Sequence, residues 1–323
     1  MNQKDANAVA AHSTKNGQGR VVVIGSLNMD LVVRSPRLPH PGETLVGESF
    51  SQVPGGKGGN QAVAAARLGA QVTMIGRIGS DANGQQLKQG LEEEGIDCSG
   101  VASDASLPTG VALITVDDAS QNAIVIVAGS NGALTPKAVA DHDAVIAQAD
   151  VVVCQLESPG ETVLAAMQAG RAHSCVTILN PAPVTGPLLR AWLETIDFLV
   201  PNELEAAALS GVKVTSPDTA RKAAWALRGQ GAHNVIITLG AQGVFVLGAE
   251  EGHDGGTHYP GQRVDAIDTT AAGDTFVGGF SAALAAGRSR DEAVRFGLAA
   301  AALSVTRAGA QPSIPYLREI EAL

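Results

Sequence analysis

An unbroken run of β-branched residues, Val21-Val22-Val23-Ile24, ends at Gly25-Ser26 near the start of the chain. A run of this kind predicts a strand whose two faces are both buried, as in a parallel sheet covered by helices. The same signal recurs at five places, Gln71–Ile75, Asp150–Cys154, Val176–Leu179, Phe198–Val200 and Val235–Leu239. Apolar residues at helical spacing occupy five other segments, Gln61–Leu68, Gln85–Glu94, Glu161–Ala169, Glu203–Leu209 and Asp218–Arg228. The alternation predicts an α/β fold with a doubly wound, mostly parallel sheet and helices on both faces.

Two segments interrupt this alternation, because they carry strand signals with no helix between them. Leu31–Arg34 and Thr44–Phe50 flank a proline-rich stretch, while Val111–Val116 and Ile124–Val127 flank a turn signal at 117–120. We expect these strands to form a small antiparallel sheet, built from about residues 28–54 and 109–128, that projects from the main domain. Its outer face would need cover from a substrate, a partner subunit or both.

The charge balance restricts the class of partner. The chain has 323 residues, with 22 Lys plus Arg against 32 Asp plus Glu, so its formal net charge is −10. No basic run can neutralise a track of phosphates, which excludes nucleic acid as a partner. Any bound phosphate must instead rely on backbone N–H groups, a metal ion and a few local cations. A membrane is excluded as well, because no apolar run approaches the ~18 residues of a span.

The N-terminal residues and the cysteines indicate a cytoplasmic protein. Residues 1–19 are polar and lack the apolar core of a signal peptide, so we expect a disordered tail ahead of one domain over residues 20–323. The three cysteines, Cys98, Cys154 and Cys175, are odd in number and form no C-x-x-C pair. Buried, reduced thiols are therefore the expectation.

The most informative motif is a turn of small residues, Asp268-Thr269-Thr270-Ala271-Ala272-Gly273-Asp274-Thr275, followed by helical spacing over Phe276–Ala286. Such a turn presents free backbone N–H groups and the positive end of the helix dipole, which suits charge on a transferred phosphoryl group. Asp274 is placed to take a proton from a hydroxyl nucleophile beside that anion site. The alternative is that Asp274 only caps the helix.

A glycine-rich stretch, Gly55-Gly56-Lys57-Gly58-Gly59-Asn60, also precedes a helix. It is not a Walker A loop, because Gly58 stands where Ser or Thr is required, and Gln61 replaces the last glycine of a dinucleotide fingerprint. Glycines at this density indicate backbone that lies close to a ligand or to a neighbouring element.

Polar residues follow two of the predicted strands. Asn28 and Asp30 leave the carboxyl end of the first strand, where an open α/β sheet binds ligands, and an amide with a carboxylate suits sugar hydroxyls. Asn202 and Glu205 share a face and are placed to reach a metal-bound phosphate. The alternatives are turn formation for the first pair and helix support for the second.

One acidic and histidine-containing cluster looks like a metal site. It lies around a glycine-rich run, 252–256, between two expected strands, and comprises Glu251, His253, Asp254 and His258. It lacks a standard ligand spacing, so a solvated loop is the favoured interpretation.

Taken in order, these motifs closely resemble the ribokinase-like, or PfkB, family of carbohydrate kinases. The resemblance runs from Val21 nearly to the C-terminus and includes 25–30, 41–44, 55–64, 155–159, 180–183, 201–203, 238–240, the Asp274 turn and 305–313. It implies an enzyme that transfers a phosphoryl group from ATP to a sugar, most closely to O5 of D-ribose. It also implies a homodimer that pairs through the small sheet, and that sheet closing over the sugar as a lid.

The resemblance implies a role for each matching residue. Asp274 would be the base, with Ala271, Ala272 and Gly273 as the anion hole. The sugar site would comprise Asn28, Met29, Asp30, Gly56, Lys57, Gly58, Gly59, Asn60, Glu157 and Asp274. ATP would contact Asn202, Glu205, Thr238, Leu239, Gly240, Ala241, Gln242, Gly243, Gly273, Asp274 and Leu298. K⁺ would bind at Asp268, Thr270, Ser304, Arg307, Gly309 and Ser313, with Arg307 contributing its carbonyl, and Mg²⁺ would arrive with ATP.

Three departures and two rival functions belong with this interpretation. Ala271 stands where many family members have glycine, and Leu298 occupies an adenine-pocket position that is polar in some relatives. Ala241 and Gln242 stand in the middle of the nucleotide loop, where family members vary. The nearest rival is a kinase of the same fold for deoxyribose, a keto-sugar or a nucleoside such as adenosine. Phe50 is the single aromatic residue of the lid segments, which favours a bare sugar over a stacked base. A sugar-binding protein without catalysis is the other rival, and the intact base and turn argue against it.

Overall fold

The computed structural model describes residues 18–119, 121–184, 186–252 and 255–322. Residues 1–17 of the predicted tail, Ser120 of the predicted turn, and His253 and Asp254 of the acidic loop lie outside these ranges. Within them the strands are β1 Arg20–Ile24, β2 Asn28–Arg34, β3 Ser49–Gly55, β4 Gln71–Gly79, β5 Asp97–Asp104, β6 Gly110–Val116, β7 Asn122–Val127, β8 Val151–Cys154, β9 Val176–Leu179, β10 Phe198–Leu199, β11 Asn234–Thr238, β12 Val244–Leu247 and β13 Thr257–Tyr259.

The helices alternate with these strands along the chain. They are α1 Lys57–Arg67, α2 Ala82–Glu93, α3 Pro136–Asp141, α4 Asp143–Ile146, α5 Gly160–Ala172, α6 Arg190–Leu193, α7 Glu203–Ser210, α8 Pro217–Gln230, α9 Ala272–Ala285, α10 Arg290–Ser304 and α11 Leu317–Ile320. Single 3₁₀ turns occupy Gly129–Ala133, Gly240–Gln242 and Gln311–Ser313. In the described part of the chain, no helix is both long and apolar enough to cross a bilayer.

The main sheet has the order β13-β12-β11-β10-β9-β8-β1-β4-β5 among the described residues. Pairing is parallel from β11 to β5, and β12 and β13 add two antiparallel strands at one edge. The predicted fold class is confirmed. The β5 strand was not predicted, because its sequence, DCSGVASD, lacks an apolar run.

Helices cover both faces of this sheet, and β1 shows why. Its alternate residues point to opposite sides, so Val21 and Val23 join one apolar core and Val22 and Ile24 join the other. The first core contains residues of α1, α2, α9 and α10, and the second contains residues of α3, α5, α7 and α8. A strand buried on both faces explains the unbroken β-branched runs.

The second sheet has the order β3-β2-β6-β7 and lies within the predicted lid segments, apart from Gly55. Its outer pairs, β2–β3 and β6–β7, are antiparallel, but the central pair β2–β6 is parallel. The prediction of an antiparallel sheet therefore holds for the outer pairs, and the parallel pair at the centre was not predicted. Strands β2 and β6 start side by side, with Asn28 opposite Gly110, and run in the same direction.

Several element boundaries also differ from prediction, among them those of β3 and α9. The strand expected at Thr44–Phe50 is β3 at Ser49–Gly55, because full pairing with β2 runs from Arg34–Ser49 to Asn28–Gly55. Pro54 is tolerated there because β3 is an edge strand. Helix α9 begins at Ala272, four residues before the predicted start, which places Asp274 in its first turn.

Candidate active site

The turn before α9 has the geometry of an anion site. Ala271 adopts the left-handed conformation at φ 58°, and α9 begins at the next residue. The Ala272 N–H donates to Thr269 O at 3.2 Å, whereas the N–H groups of Gly273 and Asp274 have no backbone acceptor among the described residues. These two N–H groups stand at the positive end of a 14-residue helix. A Cβ on Gly273 would meet no atom within 4 Å, so the space beside them is open.

The Asp274 carboxylate is buried and held by two amide groups. The residue is 7% exposed, Asn60 Nδ2 donates to its Oδ2 at 3.0 Å, and Gln61 Nε2 donates to its Oδ1 at 2.9 Å. Both donors lie in α1, which packs closely on α9. A Cβ on Gly278 of α9 would stand 2.4 Å from Ala64 of α1, so that glycine permits the approach. Asp274 therefore does not act as a cap through its side chain.

Asn131 forms hydrogen bonds with the start of β2, the strand that carries the residues predicted to bind the sugar. Its Oδ1 accepts the N–H of Leu27 at 2.9 Å, and its Nδ2 donates to Asn28 Oδ1 at 2.8 Å. Asn28 is 2% exposed, and Met29 is fully buried in the core. Asn28 and Asp30 thus carry the polar groups of this segment. Sequence reasoning missed Asn131, and no local pattern marks it, because it lies 103 residues from its partner Asn28.

The glycine-rich loop lies against the turn that follows β1. Gly56 has φ 83°, and a Cβ there would stand 2.6 Å from the Asn28 nitrogen. A Cβ on Gly58 would stand 2.6 Å from the Ser26 nitrogen, and Gly59 N donates to Ser26 O at 2.9 Å. Close approach to a neighbouring element therefore accounts for Gly56 and Gly58.

Acidic groups surround this loop. Glu157 Oε2 accepts from Ser26 Oγ at 2.5 Å and from the Lys57 N–H at 3.1 Å. Burial, together with the nearby carboxylates of Glu157 and Asp274, raises the pKa of Asp30 to about 7 against the opposing effect of Lys57. The Asp30 carboxyl is therefore partly protonated near neutral pH, which lets it donate as well as accept hydrogen bonds.

Lys57 is the cation among these acids. Burial lowers the pKa of Lys57, but the charges of Asp274, Glu157, Glu205 and Asp30 outweigh burial and raise the pKa above its usual value. Lys57 therefore stays charged and offsets part of the negative field around Asp274.

A cavity of about 710 Å³ opens beside the α9 turn. Most of the residues predicted to contact the nucleotide line it: Asn202, Glu205, Thr238, Gly240, Ala241, Gly243, Gly273, Asp274 and Leu298. Leu239 and Gln242 do not line it. Leu239 is 2% exposed in the core, and the Gln242 carbonyl is bonded to His258 Nε2 at 2.6 Å.

Several residues that line the cavity were not predicted from the sequence to contact the nucleotide. Segment 261–266 contributes Arg263, and α10 contributes Ala301 and Ala302 beside Leu298. Lys57 lines the same cavity, so two cations face it in addition to the N–H groups of α9. The small apolar residues of α10 suit a flat aromatic base, and the polar end lies at Gly273 and Asp274.

Asn202 and Glu205 cap the start of α7. Asn202 Oδ1 accepts the Glu205 N–H at 2.8 Å, and Glu205 Oε2 accepts the Asn202 N–H at 2.9 Å. The helix-support interpretation is therefore right, and both residues also line the cavity. Burial raises the pKa of Glu205. Their contact with a metal-bound phosphate stays a prediction.

Two of the residues predicted to hold K⁺, Thr270 and Gly309, are bonded to the Asp268 carboxylate. Its Oδ1 accepts the Thr270 N–H at 2.9 Å and its Oδ2 accepts the Gly309 N–H at 2.8 Å, which links two separate turns. Burial would raise the Asp268 pKa, but the bonds from Thr270 and Gly309 lower it overall. The Arg307 guanidinium is paired with Glu319, so Arg307 offers this site only its backbone.

The acidic loop near residue 252 shows no metal geometry in the part that is described. Glu251 pairs with Arg290 at 3.5 Å, and His258 is bonded to the Gln242 carbonyl. Among described residues, no group of three or more His, Cys, Asp or Glu side chains is placed to hold a metal ion.

Comparison with known proteins identifies the family of this chain. The chain belongs to the pfkB family of carbohydrate kinases, whose model matches residues 18–317. A ribokinase of Haemophilus influenzae is 46% identical over 93% of this chain and 96% of its own length. A deoxyribokinase of Salmonella typhi is 36% identical over 93% of this chain and 96% of its own. The solved structure of an Arabidopsis thaliana ribokinase complexed with ribose and ATP matches with a TM-score of 0.87 at 30% identity, covering 94% of this chain and 98% of that one.

Proposed function

We propose that this protein is a ribokinase, which transfers the γ-phosphoryl group of ATP to O5 of D-ribose and forms D-ribose 5-phosphate and ADP. The observation that carries the proposal is the position of Asp274. Its carboxylate lies in the first turn of α9, at the boundary between the predicted sugar residues of α1 and the nucleotide cavity. The 46% identity with a ribokinase supports ribose as the acceptor.

The site supports a direct, in-line transfer. Asp274 takes the proton of the ribose 5-hydroxyl as O5 forms its bond to the γ-phosphorus. The bond from the γ-phosphorus to the β–γ bridging oxygen breaks, and its electron pair leaves on ADP. The N–H groups of Gly273 and Asp274, with Lys57, face the charge on the transferred group and stabilise it.

The donor atoms around Asp268 fit a monovalent cation. The Ser304 and Ser313 hydroxyls donate to Ala301 O at 2.9 Å and Ala310 O at 2.8 Å, which leaves their oxygen lone pairs free to accept a cation. Together with Asp268 and backbone carbonyls they would supply only oxygen ligands, which suit K⁺. When bound, K⁺ would stabilise the shape of the α9 turn. Mg²⁺ would enter with ATP and neutralise phosphate charge, with Asn202 and Glu205 as the nearest predicted partners.

The second sheet supports the lid and dimer parts of the proposal. Four consecutive apolar residues of its edge strand β7 are about half exposed, Ile124, Val125, Ile126 and Val127. An apolar edge strand of this kind is a surface that a second chain would cover. We place two copies against each other through this sheet, and the sheet would close over ribose to exclude water. Three buried, free thiols fit a reducing compartment such as the cytoplasm.

An acceptor screen tests the proposal. ADP release is measured with D-ribose, 2-deoxyribose, fructose and adenosine, each with and without K⁺. We expect the highest kcat/KM with D-ribose and faster turnover when K⁺ is present. A higher kcat/KM with fructose or adenosine would show that the substrate is wrong, and a higher value with 2-deoxyribose would assign the protein to the deoxyribokinases. Absence of ADP release with every acceptor would support a binding protein instead.

A further inference from the structure

We infer that two buried glutamines, Gln61 and Gln155, act in series to orient the Asp274 carboxylate, and this inference rests on the proposed phosphoryl transfer. Gln61 Nε2 lies 2.9 Å from Asp274 Oδ1 and 3.1 Å from Asn180 Oδ1. Gln155 Nε2 lies 2.6 Å from Gln61 Oε1. Both glutamines are fully buried. They are positioning residues, because Gln155 reaches Asp274 only through Gln61.

The direction of each amide follows from the acid at the end of the chain. An ionised carboxylate accepts hydrogen bonds and donates none, so Gln61 must turn its NH₂ group toward Asp274. Its Oε1 then faces away and requires a donor, which among the described residues is the NH₂ group of Gln155. The Asp274 carboxylate therefore determines the orientation of the Gln61 and Gln155 amides. These two side chains in turn restrict the rotation of the carboxylate.

This arrangement leaves a buried acceptor without a partner. Gln155 Oε1 has no hydrogen bond among the described residues. It lies beside Gly25, where a Cβ would come within 2.0 Å of it. A buried polar atom without a partner costs free energy. Turning the Gln155 amide over would not remove that cost, because Gln155 Oε1 would then face Gln61 Oε1 and the hydrogen bond between the two side chains would be lost. The pairing with Gln61 outweighs that cost.

The chain of amides also connects separate elements. Gln61 lies on α1, Gln155 directly follows β8, and Asn180 directly follows β9 and donates to Val200 O at 2.9 Å. The base on α9 is thus held to the carboxyl edge of the main sheet. A base that is already aligned needs no reorganisation when the hydroxyl arrives, which lowers the barrier of the transfer step.

A double-mutant cycle tests the inference with turnover of D-ribose as the readout. Gln61→Met keeps the length of the side chain but removes its donor, and we expect kcat to fall ~10- to 100-fold with both KM values within ~3-fold. Gln155→Met leaves Gln61 Oε1 without a donor, and we expect a smaller fall in kcat of ~3- to 10-fold. The double variant should have the kcat of Gln61→Met alone, because Gln155 acts only through Gln61.

Ser281→Ala is the matched control, because Ser281 is fully buried on α9 and its hydroxyl donates to Val277 O at 2.6 Å within the same helix. It should lower the thermal unfolding temperature and leave kcat unchanged. If Gln61→Met does not fold, Gln61→Asn replaces it, since the shorter side chain cannot reach Asp274 and Gln155 together. Unchanged kcat in the Gln61 variant, or multiplicative losses in the double variant, would overturn the inference. Failure of the wild-type protein to phosphorylate any acceptor would instead overturn the proposed function, and the inference with it.

Discussion

At the residue scale, Asp274 combines burial, two amide donors and a place at the start of α9. Asp274→Asn keeps the shape of the side chain but removes the proton acceptor, so we expect kcat to fall ~10²- to 10⁴-fold. ATP affinity should change little, because the N–H groups and the cavity walls remain. Steady-state kinetics measure kcat, and equilibrium titration with ATP measures the affinity for ATP. Asp141→Asn, an exposed partner of Lys137 on α3, is the control, and near-normal turnover of Asp274→Asn would remove Asp274 from the role of base.

The raised pKa of Asp30 predicts how the free energy of unfolding changes with pH. Its folded-state pKa of about 7 lies above the value of 3.8 for an exposed Asp, so the protonated form favours the native state. That stabilisation is present below about pH 4 and is lost as the pH rises through about 7. Asp30→Asn cannot ionise, so near pH 8 we expect it to exceed the wild type in free energy of unfolding by on the order of 1–3 kcal/mol. Urea denaturation of the ligand-free protein at several pH values measures the difference.

The advantage of Asp30→Asn should shrink as the pH falls toward about 4, and a difference independent of pH would contradict the assignment. Asp104→Asn is the control of opposite sign. Hydrogen bonds from Ser106 and from Arg77 hold the pKa of Asp104 well below its usual range. That variant should be less stable than the wild type near neutral pH, and its deficit should shrink as the pH falls below about 4.

At the scale of elements, the 3₁₀ turn Gly129–Ala133 holds the start of β2 through Asn131. Asn131→Ala removes bonds to Leu27 and Asn28, so we expect the KM for ribose to rise ~10-fold, with the KM for ATP within ~2-fold. Ser130→Ala is a matched control, because Ser130 is equally buried but bonds to Leu107 O and Pro108 O instead. Equal effects of the two variants on the KM for ribose would show that Asn131 has no particular role in the sugar site.

At the scale of the whole molecule, the exposed apolar edge of the second sheet predicts a dimer. Ile124 and Ile126 lie two residues apart on β7, so their side chains share one face. Replacing both with lysine should convert a dimer of about twice the chain mass into a monomer, because two charges would have to be buried at the interface. Light scattering coupled to size exclusion measures the mass.

Leu189→Lys is the control for that experiment, because Leu189 is 68% exposed but lies outside the second sheet. It should leave the mass of the assembly unchanged. A wild-type protein that is monomeric at every concentration tested would contradict the dimer, and so would a doubly substituted protein that remains dimeric.

The net charge of −10 restricts how the whole molecule can bind a nucleotide that is itself negatively charged. A negatively charged chain that binds ATP must place its positive groups locally, and the cavity does so with Lys57, Arg263 and the N–H groups of α9. The sequence predicted backbone groups and a few cations for this purpose, but it assigned Lys57 to the sugar alone and did not identify Arg263. Segment 261–266 brings Arg263 to the same cavity as α10, which is distant in sequence, and no short-range pattern encodes that.

Features encoded within a few residues were determined by the sequence alone. The β-branched runs determined the buried parallel strands, since a strand covered on both faces must be apolar throughout. The small residues before α9 determined the anion turn, and glycines such as Gly56 determined where backbone approaches backbone. Tertiary structure alone decided what depends on distant partners: the parallel pairing of β2 with β6, the clamp of Asn131 on Asn28, and the amide chain from Gln155 to Asp274. Hydrogen-bond partners that lie ~100 or more residues apart are selected by packing of the whole fold, and therefore no local sequence pattern records them.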